Sequence, residues 1–438
     1  MSDAAEASVV SHPVVVSPLS SELWSLPEGV RLVEDGGISP GVTYPRGFVA
    51  AGVPAGLKES GRPDVGILAA EVEFRGGVTS AAVFTSNAFA AAPVVVSQRE
   101  TQLSKMCAVV VNSGSANACT GVEGMVVARA MQAAGGEFLG VGPEHVGVAS
   151  TGLIGTVPSV DHLRNGIATA AAQLARDGGQ SFLSSIMTTD RFPKACALEV
   201  ETVDGIVRLG GCAKGAGMIA PAMATMLCFV TTDAVVSPGV IRSLLRRVVG
   251  KTFNRASVDG QMSTNDCVFL LAGGASRVFL SPAGAAQLGA ALRCLLLRLA
   301  LMMVADGEGA TKVVRLRVRG AASDEDARLV ARAVADSSLV KTAMYGCDPN
   351  WGRILSATGA VLPGRSLPRV YLEIGGVRVA QDSRAVMLTR QAEANLTEVM
   401  ARSEVDMLLH LGSGRSHEEV YFADLGHEYV AVNSEYST

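Results

Sequence analysis

KGAGMIAPAMATMLCFVTTDA runs from Lys214 to Ala234, near the middle of the 438-residue chain. Its first part is rich in Gly and Met, and its second part, MLCFVTTDA, is an apolar run typical of a buried strand. A lone cation, Lys214, and a lone hydroxyl, Thr225, precede that strand. The stretch has no His, no paired carboxylates and no metal-ligand spacing. Chemistry located here therefore has to depend on the Lys and the Thr.

Outward from this stretch, short β-rich runs and helical segments are mixed without strict alternation, which favours α+β layers over a doubly wound parallel sheet. CALEVETV and GIVRLGG, joined across VDG, predict a β-hairpin. A long helix is predicted over 283–304, and residues after DGEG predict a second domain. The expected division is a tail over 1–40, a catalytic domain over 41–312 and a C-terminal domain over 313–438. HEYVAVNS, near the C-terminus, reads as a strand.

Charge and cysteine usage exclude several classes of partner. The formal net charge is −4 and no basic stripe occurs, which argues against nucleic acid or an anionic membrane as a partner. Eight cysteines lack any CxxC pair and mostly sit in apolar runs, as expected for reduced thiols in the cytoplasm. The start of the chain lacks the layout of a secretory signal. CLLLRLALMMVADG is interrupted by Arg298, so we expect a buried helix and no membrane span.

Thr225 has a route to reactivity that needs no other side chain. A Thr hydroxyl is a poor nucleophile unless a base removes its proton. Cleavage of the Ala224–Thr225 bond would give Thr225 an α-amine, whose reference pKa of about 7.7–8.0 suits a base near neutral pH. The small residues 220–224 would permit the strained geometry that self-cleavage needs. On the residues alone, a Thr at the start of a strand remains the common alternative.

Four loops carry further candidate chemistry. A turn between a strand and a helix can bind an oxyanion through its N–H groups, and an acidic loop can bind an amine. Each of these loops also has an ordinary structural interpretation as a turn or a helix terminus. The four are NSGSANACTG at 112–121, STGLIG at 150–155, DGEGATK at 306–312 and DPNWGR at 348–353.

Together and in this order, these motifs resemble the glutamate N-acetyltransferases, also called ornithine acetyltransferases, of arginine biosynthesis. The resemblance begins at GVTYPRGFVAAGVPAGLK, from Gly41, and continues to the C-terminus. The segments that carry it are VFTSNAFAAAPV, NSGSANACTG, STGLIG, MTTDRFPK, KGAGMIAPAMATM, STND, DGEGATK and DPNWGRI.

The resemblance implies an enzyme that cleaves itself between Ala224 and Thr225. Thr225 would then take the acetyl group of N-acetylornithine and pass it to glutamate, without a metal and without a cofactor for the transfer. Acetyl-CoA is a second candidate donor, since some members of the family accept it. The resemblance also implies sheets sandwiched between helices, a C-terminal segment that returns to the active site, cleaved chains 1–224 and 225–438 that stay associated, and a homo-oligomer.

Site residues follow from the matching motifs. Thr151 and Gly152 correspond to an oxyanion hole. The substrate-binding positions are Thr188, Lys214, Thr225, Glu308, Asn433 and Thr438. We expect Lys214 to bind a carboxylate and Glu308 an amino group, because these are the charges that each side chain complements.

The chain also departs from the family pattern at several positions. Ser115 and Ala222 stand where Asn is usual, Gln261 and Met262 replace an acid and a threonine, and Ala423 replaces a common Cys. Three alternatives therefore stay open. They are a paralogue with another acyl acceptor, a self-processing amidohydrolase or aminopeptidase that passes the acyl group to water, and an uncleaved paralogue without activity.

Overall fold

The computed structural model describes residues 20, 23–34, 39–220 and 226–435. Within these ranges the chain forms three sheets and eleven α-helices, and the predicted α+β class is confirmed. The strands are β1 (Val30–Leu32), β2 (Phe48–Val53), β3 (Val65–Ala70), β4 (Thr79–Phe84), β5 (Ala108–Asn112), β6 (Val146–Ser150), β7 (Lys194–Thr202), β8 (Gly205–Lys214), β9 (Leu227–Thr232), β10 (Ala256–Ser257), β11 (Cys267–Ala272), β12 (Val313–Ala321), β13 (Tyr371–Ile374), β14 (Val377–Gln381), β15 (Arg384–Ala385), β16 (Glu404–His410) and β17 (Ser416–Ala423).

The helices connect the strands and cover the sheets. They are α1 (Ala92–Glu100), α2 (Gly121–Leu139), α3 (Val160–Ala172), α4 (Gly179–Ile186), α5 (Pro238–Val249), α6 (Pro282–Ala305), α7 (Asp324–Ala335), α8 (Ser338–Tyr345), α9 (Trp351–Ala360), α10 (Arg390–Ala401) and α11 (His427–Glu435). Short 3-10 turns occur at Gly41–Thr43, Val72–Gly77, Pro143–His145 and Phe253–Arg255.

Two of the sheets pack face to face between layers of helices. The six-stranded sheet has the order β1-β7-β8-β9-β11-β4, and the four-stranded sheet has the order β2-β3-β5-β6. Apolar side chains of both sheets, such as Phe229 and Val109, form one core between them. Helices α1, α2 and α3 cover the outer face of the four-stranded sheet, and α5 and α6 cover that of the six-stranded sheet.

The third sheet has its own core. Its seven strands have the order β10-β17-β12-β16-β13-β14-β15. Apolar side chains from β12, β16 and β17 pack there with those of α7 to α10. The last helix, α11, has no fully buried residue and follows the sheet directly.

The two ends of the opening stretch, Lys214 in β8 and Leu227–Thr232 in β9, lie at the centre of the six-stranded sheet. Strand β9 is buried along its whole length, antiparallel to β8 and parallel to β11. Lys214, the last residue of β8, pairs with Leu227, the first residue of β9. The predicted hairpin is also present, since β7 and β8 pair from Lys194↔Ala213 to Thr202↔Gly205. The strand that follows Thr225 in sequence therefore begins beside Lys214.

Two local predictions are wrong. HEYVAVNS, predicted as a strand, lies in helix α11. Strand β17, which the prediction missed, pairs with β12 in the place expected for the last strand. In helix α11, Tyr429 and Asn433 lie on the same face because they are at the i, i+4 spacing. The segment VDHLRNGIATAAAQLARDG at 160–178 has the pattern of one helix, but helix α3 ends at Ala172, because Ala175 exchanges two backbone hydrogen bonds with Ala50 of β2 at 3.0 and 3.1 Å.

Helix α6 is the apolar segment considered above. It is long and apolar enough to cross a membrane, with a mean hydropathy of 1.9 over its most apolar window, but 83% of that window is buried inside the protein. It packs against β7 and β8 in the largest core cluster, where Leu295, Leu299 and Met303 are fully buried. The prediction of a buried core helix is confirmed.

Candidate active site

Lys214 is a buried cation whose partners are hydroxyl groups. It ends β8, is 3% exposed, and its Nζ donates to Thr188 Oγ1 at 2.7 Å and Thr151 Oγ1 at 3.2 Å. Burial lowers the pKa of Lys214, and the carboxylate of Asp190 opposes that shift. In the part of the chain that the structure describes, no carboxylate makes an ion pair with it. Its charge is therefore available to a ligand.

Gly152 offers a free backbone donor beside Lys214. The N–H of Thr151 donates to the carbonyl of Asn112 at 3.0 Å, so it is already used. The N–H of Gly152 makes no hydrogen bond to any described residue. Gly152 has φ +130°, and a Cβ there would come within 2.4 Å of the carbonyl carbon of Gly114, so a side chain is excluded. The turn thus combines the Gly152 N–H with the Thr151 hydroxyl.

Asn265 of the STND motif holds the two small-residue loops together. Its Nδ2 donates to the carbonyls of Ala116 at 2.7 Å and Ser150 at 2.8 Å, and the residue is 4% exposed. Ser115, one of the departures, is buried there, and its Oγ donates to the carbonyl of Thr156 at 2.7 Å. The loops that carry Ser115 and Thr151 are therefore fixed against each other.

Glu308 and Asn433, two of the predicted substrate-binding positions, are in contact. Asn433 Nδ2 donates to Glu308 Oε2 at 2.9 Å, and Thr189 Oγ1 donates to Glu308 Oε1 at 3.1 Å. The backbone N–H of Glu308 donates to the carbonyl of Ala216 at 3.0 Å. A Cβ on Gly217 would come within 2.5 Å of the Glu308 carboxylate, so only glycine allows this approach. Glu308 thus lies against the turn that follows Lys214.

A buried ion cluster beneath these residues was missed from the sequence. Lys194 Nζ contacts Asp190 Oδ1 at 2.6 Å and Asp306 Oδ2 at 2.5 Å, and all three side chains are fully buried. Arg191 Nε pairs with Asp306 Oδ1 at 3.0 Å. Burial by itself would raise the pKa of Asp190, but the ammonium groups of Lys194 and Lys214 outweigh it and hold that pKa well below its usual value. Both carboxylates of the cluster are therefore matched by cations other than Lys214.

This cluster anchors the segments that carry the predicted site. Asp190 Oδ1 accepts from the N–H of Gly215 at 2.8 Å, and Asp190 Oδ2 accepts from the N–H of Thr188 at 3.0 Å. Asp306 lies two residues before Glu308. The only sequence signal for the cluster was the pair Asp190 and Lys194, at i, i+4 inside MTTDRFPK. The family resemblance rests partly on that segment but gave these two residues no role.

The residues on both sides of the predicted cleavage point are held by two aspartates. Asp266 Oδ1 accepts from the N–H of Met226 at 2.8 Å, and burial raises the pKa of Asp266 well above its usual value. Asp259 accepts from the N–H groups of Met218 at 2.6 Å and Ile219 at 2.9 Å. Met218 has φ +51°, a left-handed conformation that costs about 1–3 kcal/mol for such a residue unless its surroundings fix it.

The remaining predicted positions divide into two groups. Gln261 donates through its N–H to Asp259 Oδ1 at 3.0 Å, and the carbonyl of Met262 accepts from Asn87 Nδ2 at 3.2 Å, so both departures lie in the turn before STND. Other positions lie outside the described residues, so the structure gives no geometry for them; these are Ala222, Ala224, Thr225 and Thr438. Among the described residues, no group of three or more His, Cys, Asp or Glu has the arrangement of a metal site.

Comparison with known proteins identifies the family. The ArgJ family matches residues 49–438. The arginine biosynthesis bifunctional protein ArgJ of Symbiobacterium thermophilum is 42% identical over 406 residues, which cover 92% of this chain and 99% of that protein. The protein of the same name from Nitratidesulfovibrio vulgaris is 44% identical over 393 residues, which cover 90% of this chain and 98% of that protein.

A solved structure is also similar in sequence. The ornithine acetyltransferase of Mycobacterium tuberculosis, solved in complex with ornithine, is 38% identical, and the match covers 45% of this chain and all of that chain with a TM-score of 0.40. The family match over residues 49–438 and the two ArgJ relatives confirm the resemblance drawn from the sequence motifs. The chain belongs to the ArgJ family.

Proposed function

We propose that this chain is a self-cleaving acetyltransferase that moves the acetyl group of N-acetylornithine to glutamate in arginine biosynthesis. The observation that carries the proposal is the pair of opposite charges at one turn, Lys214 with only hydroxyl partners and Glu308 with only neutral partners among the described residues. A substrate that carries both a carboxylate and an amine complements that pair.

In the proposed reaction, cleavage between Ala224 and Thr225 comes first. The new α-amine of Thr225 then takes the proton of its own hydroxyl, which attacks the acetyl carbonyl of N-acetylornithine. The C–N bond breaks, the α-amine returns the proton to the leaving nitrogen, and ornithine departs. The amine of glutamate attacks the acetyl ester in turn and restores the free hydroxyl. The scheme is a double displacement with an acetyl-enzyme intermediate.

Gly152 and Thr151 supply the oxyanion donors in this proposal. The Gly152 N–H has no acceptor among the described residues, and the Thr151 hydroxyl, which accepts from Lys214, keeps its own proton to donate. Such donors act on charge that appears only in the tetrahedral state, and each contributes about 3–4 kcal/mol in comparable acyl-transfer sites. Because Lys214 also polarises the Thr151 hydroxyl, it strengthens that donor.

Substrate recognition follows from the balance of charges. Asp190 and Asp306 are occupied by Lys194 and Arg191, which leaves Lys214 as the cation for the α-carboxylate. Donor and acceptor both have that group, so they share the pocket at different stages. We place the amine of the ornithine side chain at Glu308, with Thr188, Asn433 and Thr438 completing the site.

The two cleavage products, 1–224 and 225–438, are proposed to remain one unit. Strand β8 precedes the cleavage point and β9 follows it, yet the two are hydrogen-bonded neighbours at the centre of one sheet. Strand β4 of the first product also pairs with β11 of the second. Separation would break both ladders, so the chains stay associated without a covalent link.

We also propose the broader properties that the family resemblance implies. The chain divides into a tail over 1–40, a catalytic domain over 41–312 and a C-terminal domain over 313–438, and it assembles as a homo-oligomer in the cytoplasm. All eight cysteines are free thiols and six are buried, which suits a reducing compartment. Acetyl-CoA is proposed as an additional donor in view of the word bifunctional in the names of the relatives.

The test is a transfer assay with N-acetylornithine labelled in the acetyl group. We expect label in N-acetylglutamate, formed only when glutamate is present, and an acetylated Thr225 fragment when glutamate is withheld. Thr225→Ala should abolish both. Steady release of labelled acetate without glutamate would instead favour the hydrolase, and transfer to another amine in a panel of amino acids would favour the paralogue with a different acceptor. No turnover in any assay would contradict the proposal.

A further inference from the structure

A second concave site lies away from Lys214, where the seven-stranded sheet meets the helices of the six-stranded sheet. Its volume is about 230 Å³. The floor comes from β12 and β17, and the walls come from the end of α5, the following 3-10 turn and α6. We name it the basic cleft, and its lining residues are Lys251, Arg255, Arg293, Arg317, Val318, Arg319, His417, Glu418 and Glu419.

The charge of the basic cleft opposes that of the chain. Five Lys or Arg side chains and two carboxylates line it, whereas the whole chain has a formal net charge of −4. A concave surface lined by one sign of charge concentrates the field and attracts counter-ions. The basic cleft is thus a local cationic site on an acidic protein.

The carboxylates in the cleft are already occupied. Glu418 pairs with Arg255 at 2.5 Å, and Glu419 accepts a hydrogen bond from the hydroxyl of Tyr421. Arg317 pairs with Asp406, which lies on β16 outside the cleft. These contacts pair two of the five cations, and neither Glu418 nor Glu419 makes an ion pair with any of the other three.

Three cations remain without a counter-ion. Lys251, Arg293 and Arg319 are exposed, and none makes an ion pair with a residue that the structure describes. They come from three separate elements, so their convergence is a property of the fold and not of one charged segment. In addition, the buried Nε atoms of Arg255 and Arg317 have no hydrogen-bond acceptor among the residues that the structure describes. A buried donor without an acceptor destabilises the protein, and an anion in the cleft could supply the missing acceptor.

We propose that the basic cleft binds a small molecule through a phosphate group. Guanidinium groups bind phosphate oxygens in a bidentate manner, and a phosphate carries more charge and more acceptor oxygens than one carboxylate. The volume suits one or two phosphate groups, and nucleic acid would need a longer basic track. The phosphate is either free or the charged end of a nucleotide-like molecule, and both share this chemistry.

A purely structural role for these cations is the competing interpretation. Strand β17 pairs with β10 only at Tyr421 and Phe422, so its first half has an open edge. Charged side chains near such an edge discourage pairing with another chain. That role requires charge but no affinity for phosphate, so a binding measurement separates the two interpretations.

The experiment is calorimetric titration of the full-length protein with inorganic pyrophosphate and, separately, with ADP, at constant ionic strength. The test variant combines Lys251→Gln, Arg293→Gln and Arg319→Gln, and the control combines Arg99→Gln, Lys105→Gln and Arg390→Gln, which are also exposed and without ion pairs to described residues. We expect the wild type and the control to bind, and the test variant to bind at least about tenfold more weakly, a change of about 1.4 kcal/mol.

Each outcome decides the proposal. No binding of either probe by the wild type, or equal weakening in the control variant, would overturn it. Tighter binding of ADP than of pyrophosphate would assign a nucleotide-like ligand, and the reverse would assign a free polyphosphate. The acetyl-transfer assay serves as a separate readout, because neither variant changes a residue placed in the catalytic site.

Discussion

The buried cluster around Lys194 and the basic cleft are two cation-rich regions that differ in burial. The side chains of Lys194, Asp190 and Asp306 are fully buried, and each carboxylate has a cation at 2.5 to 3.0 Å. In the basic cleft the charges are partly or fully exposed, and three cations have no counter-ion among the described residues. The first region fixes the segments that carry Lys214 and Glu308, whereas the second leaves its charge open to solution.

Burial determines whether a charged side chain contributes mainly to stability or mainly to ligand binding. A buried ion without its partner lowers the free energy of unfolding. We therefore expect substitutions in the Lys194 cluster to reduce stability, and to reduce activity as a consequence of that loss. An exposed cation interacts weakly with its neighbours, so the cleft is expected to affect ligand binding alone. Substitutions around Lys194 should therefore lower stability, whereas substitutions in the basic cleft should weaken ligand binding and leave stability unchanged.

Lys194→Met should have the largest effect on stability. It leaves the carboxylates of Asp190 and Asp306 buried without their ammonium, which costs about 3–5 kcal/mol in comparable pairs. The measurement is the free energy of unfolding in denaturant. A matched control is Lys341→Met, since Lys341 is also buried, but among the described residues it donates only to the carbonyls of Val258 and Ala423. The control should cost less, and an equal cost would show that the carboxylates are not the reason.

Lys214→Ala should have the next largest effect, on substrate binding. The loss of a charge-assisted contact of about 1.5–3 kcal/mol should raise KM about 10- to 100-fold for N-acetylornithine and for glutamate alike. Self-cleavage, followed by mass, shows whether the protein still folds and matures. An effect on only one of the two substrates would contradict a shared carboxylate pocket.

The pH profile should show a smaller effect that depends on the same lysine. Burial lowers the pKa of Lys214, so its ammonium loses its proton below the ordinary value of 10.5 as the pH rises. We expect kcat/KM to fall on the alkaline side below that value. Lys214→Arg keeps the charge at all accessible pH values and should move this fall to higher pH. If the alkaline fall of kcat/KM is the same in Lys214→Arg as in the wild type, a group other than Lys214 causes it.

The triple cleft variant should have the smallest effect on stability. Because Lys251, Arg293 and Arg319 are exposed, their replacement by Gln should change the free energy of unfolding by no more than about 0.5 kcal/mol. The same denaturant titration measures it. A loss comparable to that of Lys194→Met would mean that these cations stabilise the fold, and the contrast between the two regions would fail.

The sequence predicted what depends on local pattern. The α+β class, the hairpin of β7 and β8 and the buried helix α6 follow from periodicity and turn residues, and the structure confirms them. The predicted positions Thr151, Thr188 and Lys214 came from family motifs, and the structure brings their side chains into contact. These motifs are short and lie in loops, where the order of the residues alone was enough to identify the site positions.

The ion cluster could not be predicted because its partners are remote in sequence. Lys194 and Asp306 are 112 residues apart, and only the packing of β7 against the end of α6 brings them together. Helix α11 was mistaken for a strand because Tyr429, Val430 and Val432 are residue types that are enriched in strands. Its contact from Asn433 to Glu308, 125 residues away, is likewise a consequence of the tertiary fold.

The most direct test of the proposed self-cleavage is the intact mass of freshly purified, denatured protein. The account predicts two chains, 1–224 and 225–438, with Thr225 as the first residue of the second. That result would give Thr225 the free α-amine that the mechanism needs. A single uncut chain of 45.1 kDa would contradict the account, because Thr225 would then have no amine with which to activate its hydroxyl.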